Sequence, residues 1–447
     1  MPQDLSLTAS DDALYRKLTL RIVPLLFVCY MVAYLDRMNV GFAKLQMKDA
    51  LGFSDAVFGL GAGILFVGYG LLEVPSNLLM ARIGARKTFF RIMVLWGLTA
   101  AATAFVRTPI QFYVVRFFLG VFEAGFFPGV ILYLSYWFPA SRRGRAVALF
   151  CSASSFIGIL SGPLNGATMK YFHHVAGLEG WQWLYLTQGL PAVVLGVVVF
   201  LLLKDRPTPG GWLSEEECKR IQHNLATDAS DQSLYTAMRE IRQLLRTPIV
   251  WALACASFLD MGAIYSWFFW LPTFIRNLGI SDLLLIGMVT SVSSLIGVIG
   301  AIAMGWHSDL RKDRRWHYLM LNILSATGLL ASTLTASHLV PSLVAVVVVG
   351  LGMAASWPLL AVAMTECLPR KIASAGIALV SSLGILGGAV FPAAFGYLNT
   401  RTGGTNAGVY LVAVLLLGSS LILFAALSRR PEGRRQIEPE AARCPNA

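Results

Sequence analysis

The chain has 447 residues, of which 56% are hydrophobic and only 13% are charged, and its formal net charge is +12. Average soluble domains carry about 25% charged residues, so this composition argues against a soluble enzyme and indicates a helical membrane protein. The positive charge does not predict binding of nucleic acid, because the cytoplasmic loops of membrane proteins collect Lys and Arg.

Twelve apolar stretches are long enough to cross a hydrocarbon core of about 30 Å as helices. Six of them precede residue 204, at 20–40, 56–80, 89–106, 110–136, 146–168 and 184–203. Six follow residue 248, at 249–275, 282–306, 318–338, 341–366, 373–398 and 408–428. We therefore predict an all-α membrane protein with six-helix halves at 20–203 and 249–428. The remaining segments are an N-terminal segment 1–19, a linker 204–248 and a tail 429–447, all predicted to be cytoplasmic.

The positive charges predict the orientation. Most of the 36 Lys and Arg residues lie in the N-terminal segment, the linker, the tail and alternate loops. Both termini are therefore expected in the cytoplasm. No cleavable signal peptide is recognisable, because the apolar run after the polar first 19 residues continues into a spanning segment. We expect a monomeric, multi-pass protein of a bacterial inner membrane whose partners are the lipid bilayer, a small substrate and protons.

The six cysteines are scattered singly along the chain, without a CxxC pair. This spacing predicts neither a disulfide framework nor a metal site, and no cofactor motif is present. The six histidines lie in predicted loops, the linker or helix ends, and are expected to have surface or packing roles.

The two predicted halves also resemble each other in sequence. The matched residues are Pro24 with Pro248, Asp36 with Asp260, Arg86 with Arg314, and Pro128 with Pro358. The separation between partners grows slowly along the chain from 224 to 230 residues, as differences in loop length would produce. Internal duplication of this kind is typical of secondary transporters that bind substrate between their halves.

Several motifs accompany this repeat. The loop motifs are Gly84-Ala85-Arg86-Lys87 and Gly305-Trp306-His307-Ser308-Asp309. The helix motifs are Tyr34-Leu35-Asp36-Arg37-Met38-Asn39, Glu73-Val74-Pro75-Ser76-Asn77, Glu123-Ala124-Gly125-Phe126-Phe127-Pro128-Gly129 and Gly180-Trp181-Gln182-Trp183-Leu184. Together they resemble the major facilitator superfamily over essentially the whole chain. More narrowly, they are similar to its anion:cation symporter family, in the branch of tartrate, phthalate and hydroxyphenylacetate carriers.

Six ionisable side chains lie inside the predicted helices, away from their ends: Asp36, Arg37, Glu73, Arg116, Glu123 and Asp260. Such a side chain near the bilayer centre costs roughly 2.5–3.5 kcal/mol on insertion scales, so each needs a partner or a wet cavity. Arg116 and Glu123 are seven residues apart and share one face of a helix. We expect Arg37 and Arg116 to face the cavity with Asp36 and Glu123 close by, because a guanidinium group matches a carboxylate bidentately.

The resemblance implies roles for these residues. It implies that Arg37 and Arg116 hold an organic anion, and that Asp36 and Glu123 carry protons. The alternative is that Arg116 with Asp36, and Arg37 with Glu123, are pairs that only lock the helices together. Further candidates are Tyr34, Tyr69, Tyr265, Trp357 and Ser381 for substrate binding, and Glu73, Asp260, Arg86, Asp309 and Arg314 for gating or structure.

Three departures from the family pattern affect these expectations. Ser381 and Ser382 stand where relatives commonly carry Asn, which removes polar contacts near the site. Gln188 stands where a glutamate is frequent. Ala81, the repeat counterpart of Asp309, lacks the acid of a loop latch, so the N-terminal latch must be built differently.

The predicted function is import of an organic carboxylate with protons by alternating access. Export or antiport by the same fold is the nearest alternative, although two cavity arginines disfavour cationic drugs. An enzyme is not expected, because no GxSxG or HExxH motif is present. A non-transporting sensor would carry a longer regulatory domain than 204–248. Tartrate-like hydroxy acids, phthalate-like aromatics and sugar acids all fit two arginines.

Overall fold

A computed structural model describes residues 2–227, 244–368 and 373–428. In these ranges the regular secondary structure is helical, and eleven helical segments are long and apolar enough to cross a membrane. The helices are α1 (Pro2–Leu51), α2 (Asp55–Ile83), α3 (Ala85–Ala102), α4 (Pro109–Glu123), α5 (Phe126–Ser135), α6 (Ala140–Tyr171), α7 (Gly180–Leu202), α8 (Glu215–Thr227), α9 (Pro248–Asn277), α10 (Leu283–Arg311), α11 (Arg315–Leu334), α12 (Leu339–Cys367), α13 (Ala373–Ile385), α14 (Gly387–Thr402) and α15 (Asn406–Ser428).

The twelve predicted spans correspond to these helices with two kinds of difference. The first predicted span, 20–40, is the middle of a 50-residue helix, α1. The ninth predicted span, 318–338, corresponds to α11, whose 20 residues reach about 30 Å. This helix is not among the eleven segments that are long and apolar enough to cross a membrane. The polar linker contains the short helix α8, which Lys17 of α1 holds through an ion pair with Glu217 at 2.7 Å.

Two predicted spans are interrupted. The span 110–136 is divided between α4 and α5 at Ala124 and Gly125, where Gly125 has a φ of +87°. A Cβ atom at Gly125 would lie 2.6 Å from the hydroxyl oxygen of Ser76, so glycine satisfies both the left-handed backbone and the close approach of α2. The span 373–398 is divided between α13 and α14 at Leu386.

Pro358, the repeat counterpart of Pro128, does not interrupt its helix. Helix α12 runs without interruption from Leu339 to Cys367, with Pro358 inside it. Membrane helices tolerate an internal proline because neighbouring helices and polar side chains satisfy the freed backbone groups. The match between Pro128 and Pro358 therefore does not extend to a shared helix break.

Early and late helices meet at one end of the bundle, which we name the sealed end. There α1, α2 and α6 contact α9, α14 and α10, respectively. Polar links cross this interface: Lys170 pairs with Asp282, and the amide of Ala56 donates to Thr400 Oγ1 at 2.9 Å. Gly162 of α6 and Gly287 of α10 allow the two backbones to touch, since a Cβ atom on either would collide with the carbonyl oxygen of the other.

Two loop latches lie at the opposite end. In the later helices, Arg314 pairs with Asp309 at 2.5 Å and with Glu366 at 3.1 Å. In the earlier helices, Asp205 accepts a 2.8 Å hydrogen bond from the amide of Arg86. The guanidinium group of Arg86 donates to the carbonyl oxygen of Phe200. The acid that Ala81 lacks is therefore supplied by Asp205, from the start of the linker.

Substitution of Gly162 tests the contact between α6 and α10. We expect Gly162→Ala to lower the melting temperature of the purified protein by several degrees, because overpacking typically costs about 1–3 kcal/mol. Gly158 is the matched control, since it lies one turn earlier on α6 and a Cβ atom there meets nothing within 4 Å. Equal melting temperatures for Gly162→Ala and Gly158→Ala in detergent would contradict the close backbone contact.

Candidate binding and proton site

A buried ion pair joins Arg37 of α1 to Glu123, the last residue of α4. Arg37 Nη2 donates to Glu123 Oε1, and the two side chains are 10% and 3% exposed. Arg37 Nη1 also donates to the hydroxyl oxygen of Tyr265 in α9 at 3.5 Å. The guanidinium group lies 5.5 Å from the ring centroid of Tyr69 in α2. Arg37 thus contacts residues from three other helices. Two of these residues, Tyr265 and Tyr69, are predicted to bind substrate.

Asp36 is adjacent to Arg37 but has different partners. Its carboxylate accepts hydrogen bonds from Trp96 Nε1 at 2.9 Å and from Asn39 Nδ2 at 2.8 Å. The residue is 1% exposed. No ion pair within 4.0 Å joins Asp36 to Arg116 in the described part of the chain. Two neutral donors therefore surround Asp36, in place of the arginine that the locking-pair alternative requires.

Arg116 is fully buried on α4 and only partly satisfied. Its Nε donates to the carbonyl oxygen of Gly61 in α2 at 3.3 Å. Among the described residues, neither Nη1 nor Nη2 has a hydrogen-bond partner. Nearly all buried polar atoms in proteins are paired with protein or ordered water. A guanidinium group with two unpartnered terminal nitrogens therefore marks a place for a ligand or for water.

Further unpartnered polar atoms lie on α6 and α7. Gln188 Nε2 donates to Asn165 Oδ1 at 2.6 Å. This leaves Gln188 Oε1, Asn165 Nδ2 and the hydroxyl of Tyr185 without a partner in the described chain. Gln188, which stands where the family often has a glutamate, thus pairs with the side-chain amide of Asn165.

Aromatic rings surround the Arg37–Glu123 pair. The ring of Tyr265 lies 4.5 Å from that of Phe66 and 6.0 Å from that of Phe269. Tyr34, half-buried on α1, lies edge-on to Tyr30 with centroids 6.2 Å apart. The site therefore combines two buried arginines with a mainly aromatic wall.

The other predicted residues lie outside this hydrogen-bonded group. Glu73 is half-buried and accepts from Ser382 at 3.5 Å, so Ser382 and not Ser381 makes the polar contact between α2 and α13. Trp357 is half-buried and packs against a hydrophobic cluster of the later helices. Asp260 is fully buried, and Ser356 donates to its Oδ1 at 3.2 Å. Asp260 Oδ2 has no partner among the described residues.

The sequence-based count of six ionisable residues omits a buried lysine. Lys44 is 2% exposed on α1, and its Nζ lies 3.3 Å from Asp55 Oδ1 and 4.6 Å from the ring centroid of Trp270. The omission arose because the first span was predicted to end at residue 40, whereas α1 continues to Leu51. Trp96 was also missed, since only the tertiary fold brings its indole nitrogen to Asp36.

Comparison with known proteins agrees with this architecture. The profile of the Major Facilitator Superfamily matches residues 26–321 and 285–443. A protein of Agrobacterium vitis to which tartrate transport is ascribed is 41% identical over 434 residues, which cover 96% of this chain and 98% of that protein. The metabolite transport protein NicT of Pseudomonas putida is 39% identical, with 92% and 94% covered. The quinolone resistance transporter of Acinetobacter baumannii is 37% identical, with 93% and 96% covered.

Solved structures share the fold at low sequence identity. A bacterial homologue of the human lysosomal transporter Spinster matches with a TM-score of 0.75 at 15% identity, covering 91% of this chain and 96% of its own. A D-xylose-proton symporter matches with a TM-score of 0.69 at 14% identity, covering 91% and 97%. The protein is therefore a multi-pass membrane protein that belongs to the major facilitator superfamily, with relatives consistent with its anion:cation symporter branch.

Proposed function

We propose that the protein imports an organic carboxylate together with protons, by alternating access across a bacterial inner membrane. The observation that carries the proposal is the buried ion pair between Arg37 and Glu123. The helix of Glu123, α4, also holds Arg116, whose terminal nitrogens lack partners among the described residues. A substrate carboxylate is the chemical group that completes this arrangement, because it matches the fork of a guanidinium group.

The ion pair couples substrate to a proton by competition. A substrate carboxylate that engages Arg37 displaces Glu123 from it. An unpaired carboxylate in a buried site is strongly destabilised, so the displaced Glu123 takes up a proton. Binding of substrate and binding of a proton therefore favour each other. Release of substrate reverses the exchange and restores the ion pair.

Arg116 and Asp36 supply a second anchor and a second proton site. Arg116 is held by one backbone carbonyl, which leaves its terminal nitrogens for a carboxylate. Asp36 is stabilised by Trp96 and Asn39 when it is ionised. A monoanion with two protons carries one net positive charge inward, and each charge is worth about 2.3 kcal/mol per 100 mV. Two acids also allow a dianion to travel without opposing the membrane potential.

The alternative with a specific observation behind it is export by the same fold. One relative at 37% identity is named a quinolone resistance transporter, whereas others are named for tartrate or metabolite transport. In a proton antiporter, Glu123 would be protonated when Arg37 is free of substrate. Import with protons is preferred because a substrate that displaces Glu123 from Arg37 leads Glu123 to take up a proton. Substrate and proton are then bound at the same time.

Conservative replacement tests the arginines. We expect Arg37→Lys and Arg116→Lys each to weaken binding at least tenfold, because an ammonium group cannot reproduce the planar fork. The measurement is a thermal-shift titration of purified protein with tartrate, phthalate and gluconate. Arg107→Lys, in an exposed loop, is the matched control. Near-wild-type affinity in both site variants would contradict the anion clamp.

Neutralising the acids tests proton coupling. We expect Glu123→Gln or Asp36→Asn to abolish accumulation of labelled substrate driven by a pH gradient in proteoliposomes. Counterflow exchange needs no net movement of protons and should persist in at least one variant. Glu216→Gln, an exposed linker residue, should behave as wild type. If both site variants still concentrate substrate, the protons travel elsewhere, and Glu73 is the next residue to replace.

The serine at 381 predicts a preference among substrates. A serine offers one hydroxyl in place of an amide, and unpaired polar groups on a buried ligand are costly to desolvate. We therefore expect aromatic or C4 carboxylates to displace a bound tracer better than a hexonate does. A competition assay in proteoliposomes measures the order. Stronger displacement by gluconate than by phthalate or tartrate would contradict the inference from Ser381.

A further inference from the structure

The loop between α6 and α7 brings together three side chains that can bind a metal ion. His173, His174 and Glu179 each offer one ligand atom, and these atoms lie within 4.8 Å of one another. His173 Nδ1 is 3.0 Å from Glu179 Oε2, and His174 Nδ1 is 3.7 Å from Glu179 Oε1. The scattered cysteines predict no metal site, and the histidines are expected to have surface or packing roles, whereas the structure brings these two beside Glu179.

These distances fit tetrahedral coordination. Zinc binds histidine nitrogen and carboxylate oxygen at about 2.0–2.2 Å, which places neighbouring ligand atoms about 3.3–3.6 Å apart. The separations of 3.0 Å, from His173 Nδ1 to Glu179 Oε2, and 3.7 Å, from His174 Nδ1 to Glu179 Oε1, lie on either side of this range. The three ligand atoms, one from each residue, lie within 4.8 Å of one another, so side-chain rotations bring them to one ion, with water as a fourth ligand.

A hydrogen bond orients one of the imidazoles. The amide of Gly180 donates to His173 Nδ1 at 3.3 Å. An imidazole nitrogen has one lone pair, so an ion bound at Nδ1 replaces this hydrogen bond. Oε2 of Glu179 lies 3.0 Å from the same nitrogen, close enough for the two atoms to share a proton or a cation.

The backbone of the loop holds the histidines side by side. His174 and Ala176 have φ values of +65° and +53°, which non-glycine residues rarely adopt. The turn is fixed by a 2.9 Å hydrogen bond from the amide of His174 to Leu178 and another from Trp183 Nε1 to the carbonyl oxygen of Val175. The imidazole centroids are 3.8 Å apart. Backbone strain retained in an ordered loop is often associated with a functional site.

We propose that His173, His174 and Glu179 form a zinc site on the loop at the sealed end. Two imidazole nitrogens and one carboxylate oxygen favour Zn²⁺ over Mg²⁺ or Ca²⁺, which prefer oxygen ligands. The three side chains are between 36% and 72% exposed, so the ion reaches them directly from the adjoining solvent. This site does not depend on the transported substrate or on the direction of transport.

Isothermal titration of the full-length protein in detergent with ZnCl₂ tests the site. We expect His173→Asn with His174→Asn to remove one zinc-binding event or weaken it at least tenfold. His338→Asn replaces another exposed histidine in a loop and should bind as wild type. The pair His307 and His317, which lies 10 residues apart in sequence, is unchanged in every variant, so any zinc it binds cancels in the comparison.

Cobalt provides a measurement that is independent of affinity. Co²⁺ at this site should give the intense visible absorption of low-coordinate cobalt in the wild type and in His338→Asn. The double histidine variant should lose that absorption. Equal zinc affinity and stoichiometry in the wild type and the double variant would overturn the proposal, as would identical cobalt spectra. In that case the loop contains only a histidine–glutamate ion pair.

Discussion

The buried ion pair between Arg37 and Glu123 is the interaction on which the rest of the site depends. A charged pair removed from water is tolerated only when its geometry is good and its remaining polar atoms have partners. Here α1 brings the arginine, the end of α4 brings the glutamate, and Tyr69 and Tyr265 line the guanidinium group, whose Nε has no hydrogen-bond partner among the described residues. The interruption after α4 gives Glu123 its position, because the helix ends at this residue and the left-handed Gly125 redirects the chain.

The sequence was sufficient for the all-helical membrane fold, and it singles out the charged residues inside the helices, whose roles stay predictions. Long apolar runs identify membrane helices, and a carboxylate or guanidinium group within such a run is conspicuous because it is costly there. The partners of these charges were not predictable in the same way. Trp96 is an ordinary residue of its own helix, and only the tertiary fold brings its indole nitrogen to Asp36. Lys44 was missed because an apolar run does not mark where a helix continues past the membrane core.

The contacts at the sealed end differ in how readily they can be broken. Exposed ion pairs such as Lys170 with Asp282 contribute little, typically below about 1 kcal/mol, because both partners are well solvated when apart. Lys44 and Asp55 are buried, and the lysine also lies against the ring of Trp270 on α9. Separating the helices would rehydrate both charges, which would offset part of the cost of the separation. This buried pair therefore does not lock the end closed.

The two loop latches differ in where their acids come from. Asp309, Arg314 and Glu366 all belong to the later helices. Arg86 instead depends on Asp205, which follows α7 and lies in the predicted linker. The two latches are therefore not interchangeable. A circular permutant or a split protein opened beyond α8 keeps Asp205 covalently attached to the first six spanning segments. One opened at residue 204 separates the arginine from its acid, so the place where the chain is divided decides whether the first fragment retains a complete latch.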